Sequence, residues 1–212
     1  RSKLTYMPIG ISPQEPNRSL VEQIQAKYRG KRLLLTIGRL VPYKGMKYLV
    51  DMASHLGDEY LVLIAGQGPL KQELQQQIVA QGLEGKVKLL GFISDEEKVA
   101  YLEACHLFVL SSITKNEAFA IVQLEAMSLQ KPVVSTEIAD SGVSWVNRDR
   151  ESGRTVPVKD GKALAEAVEE IFESEESYQG YARRAKARFE SLFTIDAMID
   201  RCVEIYKEIQ KN

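Results

Sequence analysis

Cysteine is scarce in this 212-residue chain: Cys105 and Cys202 stand far apart and form no CxxC pair. That excludes a disulfide framework and a cysteine metal site, and both read as buried small hydrophobes in a reducing compartment. An excess of one charge is missing too. Lys+Arg 28 against Asp+Glu 29 gives a formal net charge of -1, so no basic field draws the chain toward nucleic acid. Any anion it binds must be held by a local site. No apolar run approaches the ~20 residues of a membrane span, and the opening RSKLTYMPIG lacks the layout of a signal peptide. Metal-ligand clusters, internal repeats and low-complexity tracts are absent from the sequence. The expectation is a water-soluble, cytosolic chain with no metal and no cofactor.

What is present is a regular alternation. With 44% hydrophobic and 27% charged residues the chain can bury a proper core. Short apolar runs at Arg32–Ile37, Tyr60–Ala65, Lys86–Leu90, Leu107–Leu110, Pro132–Thr136 and Thr155–Val158 predict strands. Between them lie helical patterns at Gly45–Leu56, Pro69–Gln81, Ser94–Cys105, from about Phe119, and Lys162–Glu173. Ser94-Asp-Glu-Glu carries the start signal of a capped helix. Continuous apolar strands alternating with amphipathic helices imply a doubly wound parallel sheet, an α/β fold of Rossmann type. We read residues 1–212 as one domain, with the proline-bearing residues 1–20 as an incoming linker. Residues 194–212 form a last helix whose stripe is Ile195, Met198, Ile199, Cys202, Tyr206 and Ile209. That helix is expected to fold back on its own domain; the alternative is that it crosses to a further one.

In such sheets ligands bind beyond the carboxyl ends of the strands, so the loops after the apolar runs carry the chemistry. After the first comes GRLVPYKG, Gly38 to Gly45, with Arg39 and Lys44 beside a helix start. Two cations and free N–H groups suit a diphosphate, although a solvated lysine and a surface arginine pair would look the same in sequence. After the second comes GQGP, where Gly66 and Gly68 serve either a close ligand or a tight turn. This is not GxGxxG, and no P-loop lysine-serine pattern exists. After the third come Gly91, Phe92 and Ile93, where Phe92 fits a base ring or the core.

After the fourth comes NEAFAIVQLEAM, with Glu117 at the entry of the expected helix and Glu125 about two turns in. At ~1.5 Å per residue the two acids are ~12 Å apart along the axis. That is too far for a paired acid and base, whose carboxyls stand ~5–9.5 Å apart in glycosidases. The spacing suits a long ligand with hydroxyls at both ends and phosphate between, held by the N–H groups of Phe119, Ala120, Ile121 and Val122. By spacing alone, Glu117 as a dipole complement and Glu125 as a surface acid would serve equally.

In order, GRLVPYKG, GQGP, LLGFIS and NEAFAIVQLEAMSLQKPVVST resemble retaining glycosyltransferases of the GT-B fold, family 4 in particular. The resemblance runs from about Met7 to Lys207 and covers only the C-terminal, donor-binding domain of that fold. YMPIGI is similar to the segment leaving the N-terminal domain, whose glycine-rich loop and active-site histidine have no counterpart here; His55 and His106 read as structural. The resemblance implies that Arg39 and Lys44 clamp the donor diphosphate, Glu117 holds hydroxyls of the transferred sugar, and Glu125 holds the ribose. It further implies that Phe119 to Val122 supply the phosphate site and that Gly38, Gly66, Gly68, Gly91, Phe92 and Ile93 line the nucleotide. The implied partners are a GDP- or UDP-linked sugar donor and a glycan or lipid-linked acceptor held mainly by the other domain. The full-length protein would touch the inner face of the membrane peripherally.

Two departures from the family pattern stand out: Ala118 and Ala120 replace glycines, and Gln130 replaces the glycine that ends the helix. Alanine resists positive φ, so the loop is expected to use conformations open to L-residues, or the ligand to sit further off. ADSGVSWVNRDRESGRTVPV resembles a subgroup from surface-polysaccharide synthesis that includes mannosyltransferases, which makes GDP-mannose a candidate donor beside UDP-sugars. A GT-B-fold nucleotide-sugar epimerase and a non-catalytic scaffold of the same fold are the alternative readings.

Overall fold

The computed structural model describes residues 6–210. Its centre is a six-stranded, all-parallel sheet built from β1 (Arg32–Ile37), β2 (Tyr60–Ala65), β3 (Val87–Gly91), β4 (Leu107–Leu110), β5 (Val133–Glu137) and β6 (Gly153–Pro157). The spatial order is β3-β2-β1-β4-β5-β6. Successive crossovers carry α2 (Met46–His55), α3 (Lys71–Ala80), α4 (Asp95–Ala104), α5 (Ile121–Ser128) and the short α6 (Val143–Val146), and α7 (Gly161–Ile171) follows the last strand. An opening α1 (Arg18–Lys27) and closing α8 (Glu175–Leu192) and α9 (Ile195–Gln210) complete the chain. This is the expected α/β Rossmann-like fold.

Strand periodicity divides the core in two. Leu34, Val62 and Ile64 point to one face and pack with Leu49, Leu74, Leu164 and Val168 of α2, α3 and α7. Leu33, Leu35, Leu61 and Leu63 point to the other and meet Val21, Ala100, Leu124, Met127 and Phe189 of α1, α4, α5 and α8. Alternate residues facing opposite sides, both covered, is why these strands read as unbroken apolar runs. Burying one such leucine is worth about 1.5–3 kcal/mol, and truncating the fully buried Leu35 to alanine should cost about 2–5 kcal/mol.

From β1 the chain winds outward to β2 and β3, then returns to lay β4 on the other side of β1, pairing Leu35 with Phe108. The order reverses there, so a crevice opens beyond the carboxyl ends of β1 and β4. The loops that line it are residues 38–45 and 111–120.

Several expectations need correction. Residues 1–20 are not all linker: α1 begins at Arg18, capped by the Asn17 side chain on the N–H groups of Ser19 and Leu20. Residues 1–5 and 211–212 lie outside the described residues. The last strand is Gly153–Pro157, two residues ahead of the apolar reading, because Asn147 donates to Val133 O and Arg154 O and fixes β6 against β5. The helix expected from about Phe119 is α5, which starts at Ile121. α9 does not fold back into the core: none of its described residues is buried, and Ile195, Ile199, Val203, Tyr206 and Ile209 are exposed. The segment before α1 meets it at its start, with Ile11 N–H donating to Phe193 O and Gly10 N–H to Met198 Sδ.

Candidate functional site

The loop after β1 tightens into a single 3-10 turn, Pro42–Lys44, and leaves it through Gly45 at φ 64°. A side chain there would lie 2.1 Å from Ser111 O, so glycine is needed both for the left-handed backbone and for the contact. Ser111 Oγ donates to Lys44 O at 2.9 Å and Ile113 N–H to Tyr43 O at 2.8 Å. These bonds join the β1 loop to the β4 loop across the reversal point. They bring Lys44 Nζ to 2.5 Å from Glu117 Oε2. Ser112 Oγ donates to the same oxygen at 2.7 Å. Glu117 is 7% exposed, so its charge depends on these two partners. Arg39 lies at the open rim of the same loop, exposed, with Nη2 donating to the Tyr43 hydroxyl at 3.3 Å.

From Glu117 the chain enters α5 through a strapped loop. Ser141 Oγ donates to Glu117 O, Gly142 N–H to Ala118 O at 2.8 Å, and Gln123 Nε2 to Phe119 O at 2.9 Å. Ala120 then takes φ 57°, ψ 73° and forms the N-cap of α5. The alanine does not avoid positive φ, as its chemistry led us to expect. It adopts the glycine conformation, a strain of about 1–2 kcal/mol that the straps on either side hold in place. Only Gln123 N–H is satisfied locally, by Ala120 O. Among the described residues, the N–H groups of Phe119, Ala120, Ile121 and Val122 have no protein acceptor. Unpaired donors at a helix start are able to hold an anion.

Glu125, one turn into α5, is held separately. Lys98 Nζ of α4 donates to its Oε1 at 2.9 Å, and the two side chains are 24% and 15% exposed. Because α5 begins at Ile121, only five of the nine residues from Glu117 to Glu125 are helical, so the ~12 Å rise does not describe their separation. What stands is that the acids have different partners and are not a pair.

The remaining predicted residues divide. Gly91, at φ 75°, has open space where a side chain would be, and Phe92 is 74% exposed, which removes the core reading for that ring. Ile93 is half-buried against the core. Gly66 and Gly68 are explained by backbone packing: side chains there would meet Gly38 O at 1.9 Å and Leu40 O at 2.4 Å. Gly38 itself joins β2 through its N–H, which donates to Ala65 O. The GQGP loop therefore supports the Arg39 loop from behind. His106 is structural, its Nδ1 accepting from Leu33 N–H at 3.0 Å at the far end of the sheet. Sequence reasoning missed Lys98, Ser112, Ser141 and Gln123. Lys98 was hidden by its helical neighbour Asp95, an i,i+3 partner that accounts for it without any longer reach.

Comparison with known proteins agrees with this architecture. The model of the family "Glycosyl transferases group 1" matches residues 17–188. The "O-antigen chain mannosyltransferase C" of Escherichia coli is 33% identical over 97% of this chain and 55% of its own length. The "D-rhamnosyltransferase WbpZ" of Pseudomonas aeruginosa is 38% identical over 78% of this chain and 42% of its own. The chain thus spans about half the length of the curated relatives it matches. Among solved structures, Anabaena HepE in complex with UDP superposes with a TM-score of 0.82 at 24% identity, over 94% of this chain and 56% of that one. The C-terminal domain of a glycosyl transferase group 1 protein from Francisella tularensis superposes with a TM-score of 0.74 at 22% identity, over 88% of this chain and 100% of that one.

Proposed function

The chain belongs to the glycosyl transferases group 1 family, as a GT-B C-terminal domain, and from that premise we propose that it is the donor-binding half of a retaining glycosyltransferase. The observation that carries the proposal is the open start of α5 between two separately held carboxylates, with Lys44 alongside. A nucleotide-sugar has the matching order of groups. Its diphosphate takes the unpaired N–H groups, Lys44 and Arg39; the sugar hydroxyls take Glu117; the ribose takes Glu125. The base lies by Gly91, Phe92 and Ile93, where Gly91 leaves space and Phe92 offers a bare ring.

The chemistry follows from charge. As the bond from the sugar to the diphosphate breaks, negative charge grows on the departing phosphate and positive character on the sugar. Lys44, Arg39 and the N-terminal end of α5 stabilise the first without reorganising, a kind of electrostatic help worth several kcal/mol of barrier. Lys44 is bonded to Glu117, so the group that binds sugar hydroxyls is rigidly coupled to the one that meets the leaving group. Same-face attack by the acceptor, with no enzyme-bound sugar, is what the family resemblance implies.

The mannosyltransferase relative supports GDP-mannose as the donor, and the UDP-bound neighbour supports a UDP-sugar beside it. Relatives in O-antigen and lipopolysaccharide synthesis support a glycan or lipid-linked acceptor of a surface polysaccharide. That acceptor would be held mainly by a partner half, reached at the cytoplasmic face of a membrane. No helix among the described residues is long and apolar enough to cross one. The exposed stripe of α9, next to a groove of about 560 Å³ lined by Tyr6, Trp145, Thr194 and Ala197, is the surface on which that half would pack.

A thermal-shift panel of UDP-, GDP- and ADP-sugars on this chain tests the reading. A ligand at 100 times its Kd stabilises by about 2.7 kcal/mol and raises the melting point accordingly. A shift with GDP- or UDP-sugars is expected. No shift with any of the three classes would overturn the donor-site assignment. Product formed from a nucleotide-sugar without acceptor would replace transfer by epimerisation.

A further inference from the structure

Lys98 sits in the second turn of α4, on the side toward α5. The first turn is fixed by a complete capping box, in which Ser94 Oγ accepts from Glu97 N–H and Glu97 Oε2 from Ser94 N–H. Lys98 has a local partner in Asp95 at 3.6 Å, but that carboxylate is fully solvated and draws little from it. Its short bond instead spans 27 positions to Glu125, where both side chains are withdrawn from solvent. The pair is not needed as adhesive between the helices, because Ala100, Leu102, Leu124 and Met127 already share one apolar cluster. Burial pulls the Lys98 ammonium toward deprotonation, yet the hydrogen bond and charge of Glu125, with Asp95, more than offset it and hold the pKa above the ordinary lysine value.

Glu125 therefore has one oxygen, Oε1, occupied, while Oε2 has no donor among the described residues. A carboxylate clamped through one oxygen cannot rotate freely, and its other oxygen becomes a fixed acceptor. Lys98 keeps a third N–H beyond the two directed at Glu125 and Asp95. A fixed acceptor beside a fixed donor is complementary to a vicinal diol, in which one hydroxyl donates while its neighbour accepts. We propose that Lys98 is a positioning residue that makes the Lys98–Glu125 pair a reader of the ribose diol, and so sets the preference for ribo- over deoxyribonucleotides. This rests on the donor reading above and adds to it the residue that orients Glu125. Removing Lys98 leaves Glu125 charged but loose, free to meet water as readily as a ribose hydroxyl.

Calorimetric titration of this chain with UDP, GDP and their 2′-deoxy counterparts tests the assignment. The unaltered chain is expected to favour the ribonucleotide by about tenfold or more, as a hydrogen bond to a charged group allows. Lys98→Met should bring that preference to within about threefold, Lys98→Arg should retain most of it, and Lys98→Met combined with Glu125→Gln should be no worse than Glu125→Gln alone, the non-additivity of one unit. A Lys98→Met chain that keeps its ribose preference, or loses affinity equally for both sugars, overturns the positioning role while leaving the donor reading intact. An unaltered chain that binds ribo- and deoxyribonucleotides equally overturns it as well. Absence of any binding by the unaltered chain overturns the donor reading itself, and this inference with it.

Discussion

Helix α5 is entered and left through non-glycine residues in the left-handed region, Ala120 at φ 57° and Gln130 at φ 60°, yet its two ends treat their hydrogen bonds oppositely. At the C-terminal end every one of the last four carbonyls is satisfied. Ser128 Oγ donates to Glu125 O, Lys131 N–H to Ala126 O, Gln130 N–H to Met127 O, and Lys186 Nζ to Ser128 O. The two backbone bonds are those of a Schellman motif, completed by a lysine that also complements the helix dipole. At the N-terminal end the donors at the mouth are left open, and the hydrogen bonds go instead to the carbonyls of Glu117, Ala118 and Phe119. The difference supports the proposed donor site at the start of α5. A helix end that only needs stability closes its own bonds, while this start has its backbone pinned from behind and its donors free.

The largest effect should come from Lys44→Met. It leaves the Glu117 carboxylate 9% exposed with only Ser112 to satisfy it, and stability measured by urea unfolding should fall by about 3 kcal/mol. A loss under ~1 kcal/mol would put the pair in the class of surface ion pairs and remove the argument from burial. In the full-length enzyme, Glu117→Gln should reduce turnover by about 100-fold, and a wild-type rate would take Glu117 out of the site.

Arg39→Ala separates binding from folding. The side chain is exposed, so stability should hold to within ~0.5 kcal/mol, while affinity for UDP or GDP drops about tenfold or more. Unchanged affinity would show that the open end recruits no cation from the β1 loop.

The strained caps give a smaller, sharper contrast. Gln130 is exposed, so Gln130→Gly should relieve the left-handed strain and stabilise by about 0.5–1 kcal/mol with no change in nucleotide affinity. Ala120 is 8% exposed, and losing its buried methyl costs about 0.8 kcal/mol, so Ala120→Gly should come out near neutral. Equal gains at both ends, read by denaturant midpoint, would mean the Ala120 methyl is not packed as described.

The smallest effect lies at the other rim of the sheet. Burial, with the charges of Lys131 and Arg32, lowers the His106 pKa, and its neutral Nδ1 accepts from Leu33 N–H. A histidine that holds its proton less tightly when folded contributes stability fully above the unfolded value of 6.5 and loses it as pH falls toward the lowered folded value. Between pH 7 and 5.5 the unaltered chain should therefore lose more stability than His106→Gln; parallel slopes would contradict this.

The sheet was legible because β1, β2 and β4 are apolar on both faces and bounded by loops with glycine or serine. α8 was not, because its buried face is Gly180, Tyr181, Ala182, Ala185 and Phe189, mostly small residues within a strongly charged stretch. α9 was legible as a helix but not in its placement, since an apolar stripe does not say what it faces. At the site, the loops holding Arg39, Lys44 and Glu117 followed from the rule that ligands gather beyond strand ends. That Lys44 and Glu117 touch did not, since the contact needs β4 laid beside β1, a fact of topology and not of spacing. Lys98 stayed invisible because Asp95 already accounts for it, and Ser112 because a loop serine five residues from Glu117 has no periodic signal. Ala120 was misjudged because residue preference was weighed without the straps from Ser141, Gly142 and Gln123 that hold it.

The central claim is that a nucleoside diphosphate sits on the open end of α5. Titrating the isotope-labelled chain with UDP or GDP and following backbone amides by NMR tests it directly. The amide signals of Phe119, Ala120, Ile121 and Val122 should move most, together with those of Arg39, Tyr43 and Lys44, while those of Gln130 and Lys131 stay in place. Shifts centred anywhere else, or none from Phe119 to Val122, would contradict the account.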